Sequence, residues 1–105
     1  MTIQELENII SDSLNIPALA EYDAVYDGSF NTTPWAVEAF NGNGVPVHIT
    51  DHVAINLFYE NKNDAISAVH EVLPILASNN IVAQMPEFNY QEAGRLWMAT
   101  VNVQF

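Results

Sequence analysis

No cysteine occurs among the 105 residues of this chain. That excludes a disulfide framework and thiol chemistry, and it leaves the redox compartment open. Positive charge is nearly as scarce. Lys62 and Arg95 are the two basic residues against 13 Asp and Glu, so the formal net charge is −11 with His neutral. Such a surface repels phosphates and anionic headgroups, which argues against specific nucleic-acid binding and against membrane binding. No apolar run approaches the roughly 18–20 residues of a spanning helix, and Met1-Thr2-Ile3-Gln4-Glu5 lacks the basic start of a secretory leader. The expectation is a soluble protein that stays where it is made. Glycine is confined to Gly28, Gly42, Gly44 and Gly94. Gly42-Asn43-Gly44 runs into Val45-Pro46 and not into a helix, so neither a P-loop nor a dinucleotide fingerprint is present. The serines lie in no nucleophile-elbow context.

Apolar residues are abundant: 50% of the chain is hydrophobic and 10% aromatic, enough to offset the entropy of ordering a core. The length predicts a single domain over 1–105. A first helix is expected over 2–14. Thr2 and Glu5 form a capping-box pattern, and Ile3, Leu6, Ile10 and Leu14 recur at helical spacing. Segment 18–33 carries turn and loop signals in Asp27-Gly28-Ser29 and Asn31-Thr32-Thr33-Pro34. A strand is expected over 35–40, then a turn at Asn41-Gly42-Asn43-Gly44, then an extended stretch over 45–50 limited by Pro46. The clearest strand is 52–59, where Val53, Ile55 and Leu57 share one face. A second helix is expected over 63–77, with Pro74 kinking it or ending it near Leu73. Asn79-Asn80 stops it. Segments 81–89 and 95–105 predict a closing hairpin whose turn, 90–94, uses Gly94 at positive φ. The last strand alternates, with Ala99, Val101 and Val103 on one face and a wet or partner-facing side on the other. The fold class that follows is α+β, an antiparallel or mixed sheet with two helices packed on one face and a C-terminal β-hairpin.

Few residues point to chemistry. His48 and His52 share a strand face but stand about 13 Å apart at roughly 3.3 Å per residue, too far for one tetrahedral ion. His70 reads as a helix boundary residue. Glu87 and Glu92 flank the hairpin and could face each other, but an acid–base pair needs a cleft that separates their pKa values, and at an exposed hairpin tip they read as ordinary solvated charge. Trp35 and Trp97, with Phe58, Tyr59 and Phe88, resemble a stacking platform. Without a basic groove they read as core. No catalytic residue, cofactor or metal site is expected. The candidate contact elements are Asn41, Gly42, Asn43, Gly44, Val45 and Pro46 in one loop, and Gln91, Glu92 and Arg95 at the hairpin tip. Both are expected to project from the sheet.

Three stretches between 34 and 105 carry a resemblance. Pro34-Trp35-Ala36-Val37 is a Pro-aromatic strand entry. His52-Val53-Ala54-Ile55-Asn56-Leu57-Phe58-Tyr59-Glu60-Asn61-Lys62-Asn63-Asp64 is an alternating strand, a polar loop with a lysine, and a helix start. Ile81 through Phe105 is a closing hairpin that ends on an alternating strand. Together they resemble the tail-completion, or tail-terminator, proteins of long-tailed bacteriophages. The chain is far more acidic than the Lys/Glu mixture usual in that family. The resemblance implies a virion protein without enzymatic activity, made in the bacterial host cytoplasm. It implies a ring of identical copies, commonly a hexamer, that caps the tail tube and meets the tail-tube protein and the head-connector protein. An acidic surface suits a conduit through which DNA slides without sticking.

Two other readings compete. An acidic nucleic-acid mimic that inhibits a DNA-binding protein calls for carboxylates in rows, whereas here they are scattered along the chain. A small ligand-binding α+β domain has no motif in its favour.

Overall fold

The computed structural model of the chain describes all residues except Glu21, Asn43 and Gly44, and the side chains outside 21 and 40–48. Helix α1 (Ile3–Leu14) starts as expected: Thr2 Oγ1 accepts a hydrogen bond from the Glu5 amide at 3.1 Å. The Thr2 hydroxyl in turn lies 3.3 Å from the Glu5 carboxylate, so the box closes between side chains. Asn15 ends the helix in the left-handed region at φ 54. Leu6 and Ile10, one turn apart, are fully buried.

Strands β1 (Ser29–Gly42), β2 (Val45–Tyr59), β3 (Val82–Ala83), β4 (Glu87–Gln91) and β5 (Leu96–Gln104), with helix α2 (Lys62–Ser78), complete an α+β fold. The sheet is antiparallel throughout, in the order β1-β2-β5-β3, with β4 also paired to β5. β3 and β4 follow one another along the same edge of β5. Val53, Ile55 and Leu57 pair with Val103, Val101 and Ala99, and all six are buried. Both helices cover this one face. Leu6 and Ile10 of α1, and Ala65, Val69, Val72 and Leu76 of α2, join those strand residues in a single core. The period-two pattern of the two central strands therefore identified the buried face correctly.

Several boundaries differ from the sequence reading. The strand expected over 35–40 begins at Ser29, and the predicted loop at 31–34 lies inside it. Pairing with β2 decides this. Phe30 is fully buried opposite Leu57, and that burial outweighs the turn preferences of Asn31, Thr32 and Thr33. Pro34 sits within the strand and is tolerated because β1 is an edge. The stretches 45–50 and 52–59 form one continuous strand. The strand expected over 81–89 is broken into β3 and β4, with Pro86 between them.

Helix α2 starts at Lys62, one residue before the expected start, with Asn61 as its cap and Asp64 in its first turn. It does not end near Leu73 but runs through Pro74 to Ser78. Leu76, fully buried, makes the last turn worth keeping. The exit is a Schellman motif: Ile81 N donates to Leu76 O at 3.0 Å, Asn80 N donates to Ala77 O at 3.1 Å, and Asn80 takes φ 60. Ile81 then packs in the same core as Leu76.

The closing hairpin is present, with its turn over 92–95 and Gln91 paired to Leu96. The left-handed position falls on Arg95, at φ 54, and not on Gly94. Four-residue turns built this way bend back at their last residue, and the register puts Arg95 there. A Cβ on Gly94 would meet nothing closer than 3.7 Å, at Leu96. Gly94→Ala is therefore expected to raise stability by about 0.4–1 kcal/mol through the unfolded chain, read as an increase in the urea midpoint at unchanged slope.

Candidate interaction surface

β5 stops beside His52, which pairs with Gln104. Phe105 closes the ladder by exchanging main-chain hydrogen bonds of 2.8 and 3.1 Å with Asp51. β1 and β2 continue past this point as a two-stranded arm, paired as far as Gly42 and Val45. At about 3.4 Å per residue the arm extends the sheet by roughly 20 Å. The molecule measures 51 × 27 × 22 Å, and its radius of gyration is 14.7 Å, against about 13 Å for a compact chain of this length. On the arm, Val37 and Ile49 continue the face that the helices cover elsewhere. No helix reaches them, and they are 66% and 62% exposed.

The root of the arm carries a bulge. Pro34 pairs with Val53 and Ala36 with His52, so Trp35 is the extra residue. The bulge turns Trp35 out to the sheet edge, 56% exposed, where its ring lies 5.0 Å from that of His52 at 48°. This corrects the core assignment of Trp35, whereas Phe58 is buried and Trp97 half-buried as expected. His52 is buried. Its Nε2 lies 2.5 Å from Glu38 Oε1 but is not aligned for a hydrogen bond, so the contact is a close approach of an imidazole and a carboxylate. Glu38 belongs to the arm and His52 to the rung where β5 ends, so the pair bridges the arm and the body.

The residues expected at contact sites separate into two groups. Asn41 pairs with Pro46, and Gly42 with Val45. These four are strand residues at the end of the arm and not a free loop; Asn43 and Gly44 lie outside the described residues. A register shift after Phe40 accommodates the Pro46 side of the arm. Gln91 is the last residue of β4, while Glu92 and Arg95 are exposed in the turn. That turn lies at the opposite end of the sheet, next to the Tyr59–Trp97–Tyr90 rung. The structure therefore does not bring the two groups together. Both cations are at the turn end: Lys62 Nζ sits 4.8 Å above the Trp97 ring, which also packs against Tyr90 at 5.4 Å.

Glu87 and Glu92 do not face each other. Glu87 opens β4 opposite Thr100, and Glu92 lies beyond the end of that strand. His70 is exposed on α2. Among the described residues there is no group of three metal-ligating side chains and no enclosed cavity. The face of the sheet away from the helices carries a hydrogen-bonded row. The Asn56 amide donates to Asn31 Oδ1 at 2.9 Å, and Asn56 Oδ1 accepts from Thr100 at 3.0 Å.

Sequence reasoning missed the exposed apolar set: Trp35, Val37, Ile49, and, on the opposite edge, Val82 and Met85 at 55% and 87%. A signal for Trp35 was present. Trp35-Ala36-Val37 breaks alternation with three apolar residues in a row, as a bulge does.

Tyr59 is the described group whose proton affinity departs clearly from its usual value. Burial raises its pKa above 10, and the nearby carboxylates of Glu71, Asp27 and Asp64 raise it further. The folded chain thus holds a proton that the unfolded chain releases from about pH 10. Stability is expected to be unaffected below that pH and to fall as pH rises toward the raised value. Tyr59→Phe removes this component. Above about pH 10 the wild-type urea midpoint should fall relative to that of Tyr59→Phe, while below it the difference stays constant; a difference that is flat across the whole range would contradict the assignment.

No protein-family model matches the chain, and no curated protein does.

Proposed function

We propose that this chain is a virion-assembly protein of a long-tailed bacteriophage, acting by protein contact and not by catalysis. It forms a ring, a hexamer in this reading, on the head-proximal end of the tail tube, and it helps join tail to head. Its partners are further copies of itself, the tail-tube protein and the head-connector protein. Its place is the virion, after synthesis in the host cytoplasm. The observation that carries the proposal is the arm: a paired extension that leaves Trp35, Val37 and Ile49 largely exposed is suited to seating against other chains. The stretches that carry the resemblance to tail-completion proteins lie in β1 at Pro34–Val37, in the β2–α2 passage, and in β3 to β5 from Ile81 to Phe105.

Native mass spectrometry of the purified chain, alone and added to tail tubes, tests the reading. A ring in either setting supports it, and a monomer in both defeats it. Arg95 provides a second test. It is exposed, and among the described residues no carboxylate of the same chain lies within 4 Å of its guanidinium, so Arg95 is placed to meet a carboxylate on a neighbouring copy. Arg95→Glu is expected to weaken the ring while leaving the monomer folded, with its effect shrinking in high salt. Unchanged ring mass at low and high salt would reject the Arg95 contact.

A further inference from the structure

One rung crosses the whole sheet at the root of the arm. Ala36, with Trp35 bulged beside it, pairs with His52; His52 pairs with Gln104; Gln104 pairs with Val82. Each end of this rung is a sheet edge, and each ends on an exposed apolar side chain. Trp35 is 56% exposed on one edge and Val82 55% on the other, with Met85 at 87% just beyond Val82. Paired residues in a ladder share a face, so Val82 stands on the same side of the sheet as His52. The ring contact between Trp35 and His52 puts Trp35 on that side too. Three antiparallel steps separate β1 from β3, so the two edges run in opposite directions. A second copy shifted sideways by one sheet width thus sets its β3 antiparallel to β1, at the same level and with the same face outward.

We propose that copies of this chain associate head-to-tail through these edges, with Trp35 of one copy against Val82 and Met85 of the next. The proposal rests on the ring reading above and supplies the contact it needs. Charge favours this location. Two copies at −11 repel, so a stable contact falls where carboxylates are few. Segment 81–86 has none, and β1 has only Glu38, which is directed at His52. Pro34 and the bulge limit main-chain pairing along this part of β1, so the contact is made by side chains, Trp35 on one copy and Val82 and Met85 on the next. The two surfaces differ, so the contact is heterologous: repeated, it closes into a ring when the rotation permits.

The absence of cysteine makes a direct test available. Trp35→Cys combined with Val82→Cys gives a chain with two thiols. Within one chain they lie three strand spacings apart, roughly 14 Å, beyond the reach of a disulfide. Mild oxidation is expected to give a ladder of covalent oligomers on a non-reducing gel, while each single variant gives nothing above a dimer. Val82→Asp and Met85→Asp alter exposed side chains, so circular dichroism should stay native while copy–copy affinity falls at least about tenfold. A wild-type chain that stays monomeric, in solution and on tail tubes, overturns the ring and this contact together. A wild-type ring with no ladder in the double variant, and with unchanged mass in both Asp variants, overturns the contact alone.

Discussion

Phe30→Ala is expected to destabilise the protein by about 3–5 kcal/mol, as deletion of a fully buried aromatic ring does. Among the described residues Phe30 is the largest side chain completely withdrawn from solvent. It lies opposite Leu57 in the centre of the core. Its main chain is held by the segment after α1: the amide donates to Pro17 O at 3.2 Å, and the carbonyl accepts from the Leu19 amide at 2.8 Å. Those bonds tie the loop after α1 to the edge of the sheet, so the site has little freedom to collapse into the cavity. Typical domains have only 5–15 kcal/mol of stability, so this variant is expected to be partly unfolded at ambient temperature. Equilibrium urea unfolding checks it. A loss below about 1 kcal/mol would mean that the β1 register, and with it the placement of the arm, is wrong.

Pro74→Ala is expected to act in the opposite direction, raising stability by about 1–3 kcal/mol. Proline in a helix interior costs about 3 kcal/mol relative to alanine, through its missing amide donor and its clash with the preceding turn. Its smaller unfolded-state entropy returns part of that cost. Pro74 is exposed, so replacing it removes no buried contact, while an alanine amide can donate to the carbonyl of His70. The expected outcome is a higher urea midpoint with native circular dichroism. A destabilised variant would show that Pro74 serves the packing of Leu73 or Leu76 in a way its exposure does not suggest.

The two proposals are separable from these stability effects. Neither Phe30 nor Pro74 lies on the Trp35–Val82 rung, so changes in ring mass from edge variants report association and not folding.

Legibility in the sequence followed the length of the pattern. Val53, Ile55 and Leu57 alternate over several residues, as do Ala99, Val101 and Val103, and one wrong register would expose all of them. The two helices were equally plain, because Thr2 and Asn61 cap apolar stripes at helical spacing. The fold class, the covered sheet face and the closing hairpin were therefore determined locally. Signals one residue long were overruled. Pro74 did not stop α2, because the burial of Leu76 and Ile81 lies beyond it. Asn31, Thr32 and Thr33 did not form a loop, because β2 offered them a partner. The candidate contact residues fared similarly: Asn41, Gly42, Val45 and Pro46 read as a loop but pair across the arm.

The sequence by itself determined an acidic, cysteine-free α+β chain with a period-two core face and two amphipathic helices, since those properties depend on residue type and near-neighbour spacing. Only the tertiary structure decided that β1 extends from Ser29, that Trp35 leaves the ladder at a bulge, and that Trp35 and Val82 end the same rung on opposite edges. Those features depend on which strands pair and where β5 stops, and strand pairing is a long-range choice made by the burial of the whole sheet.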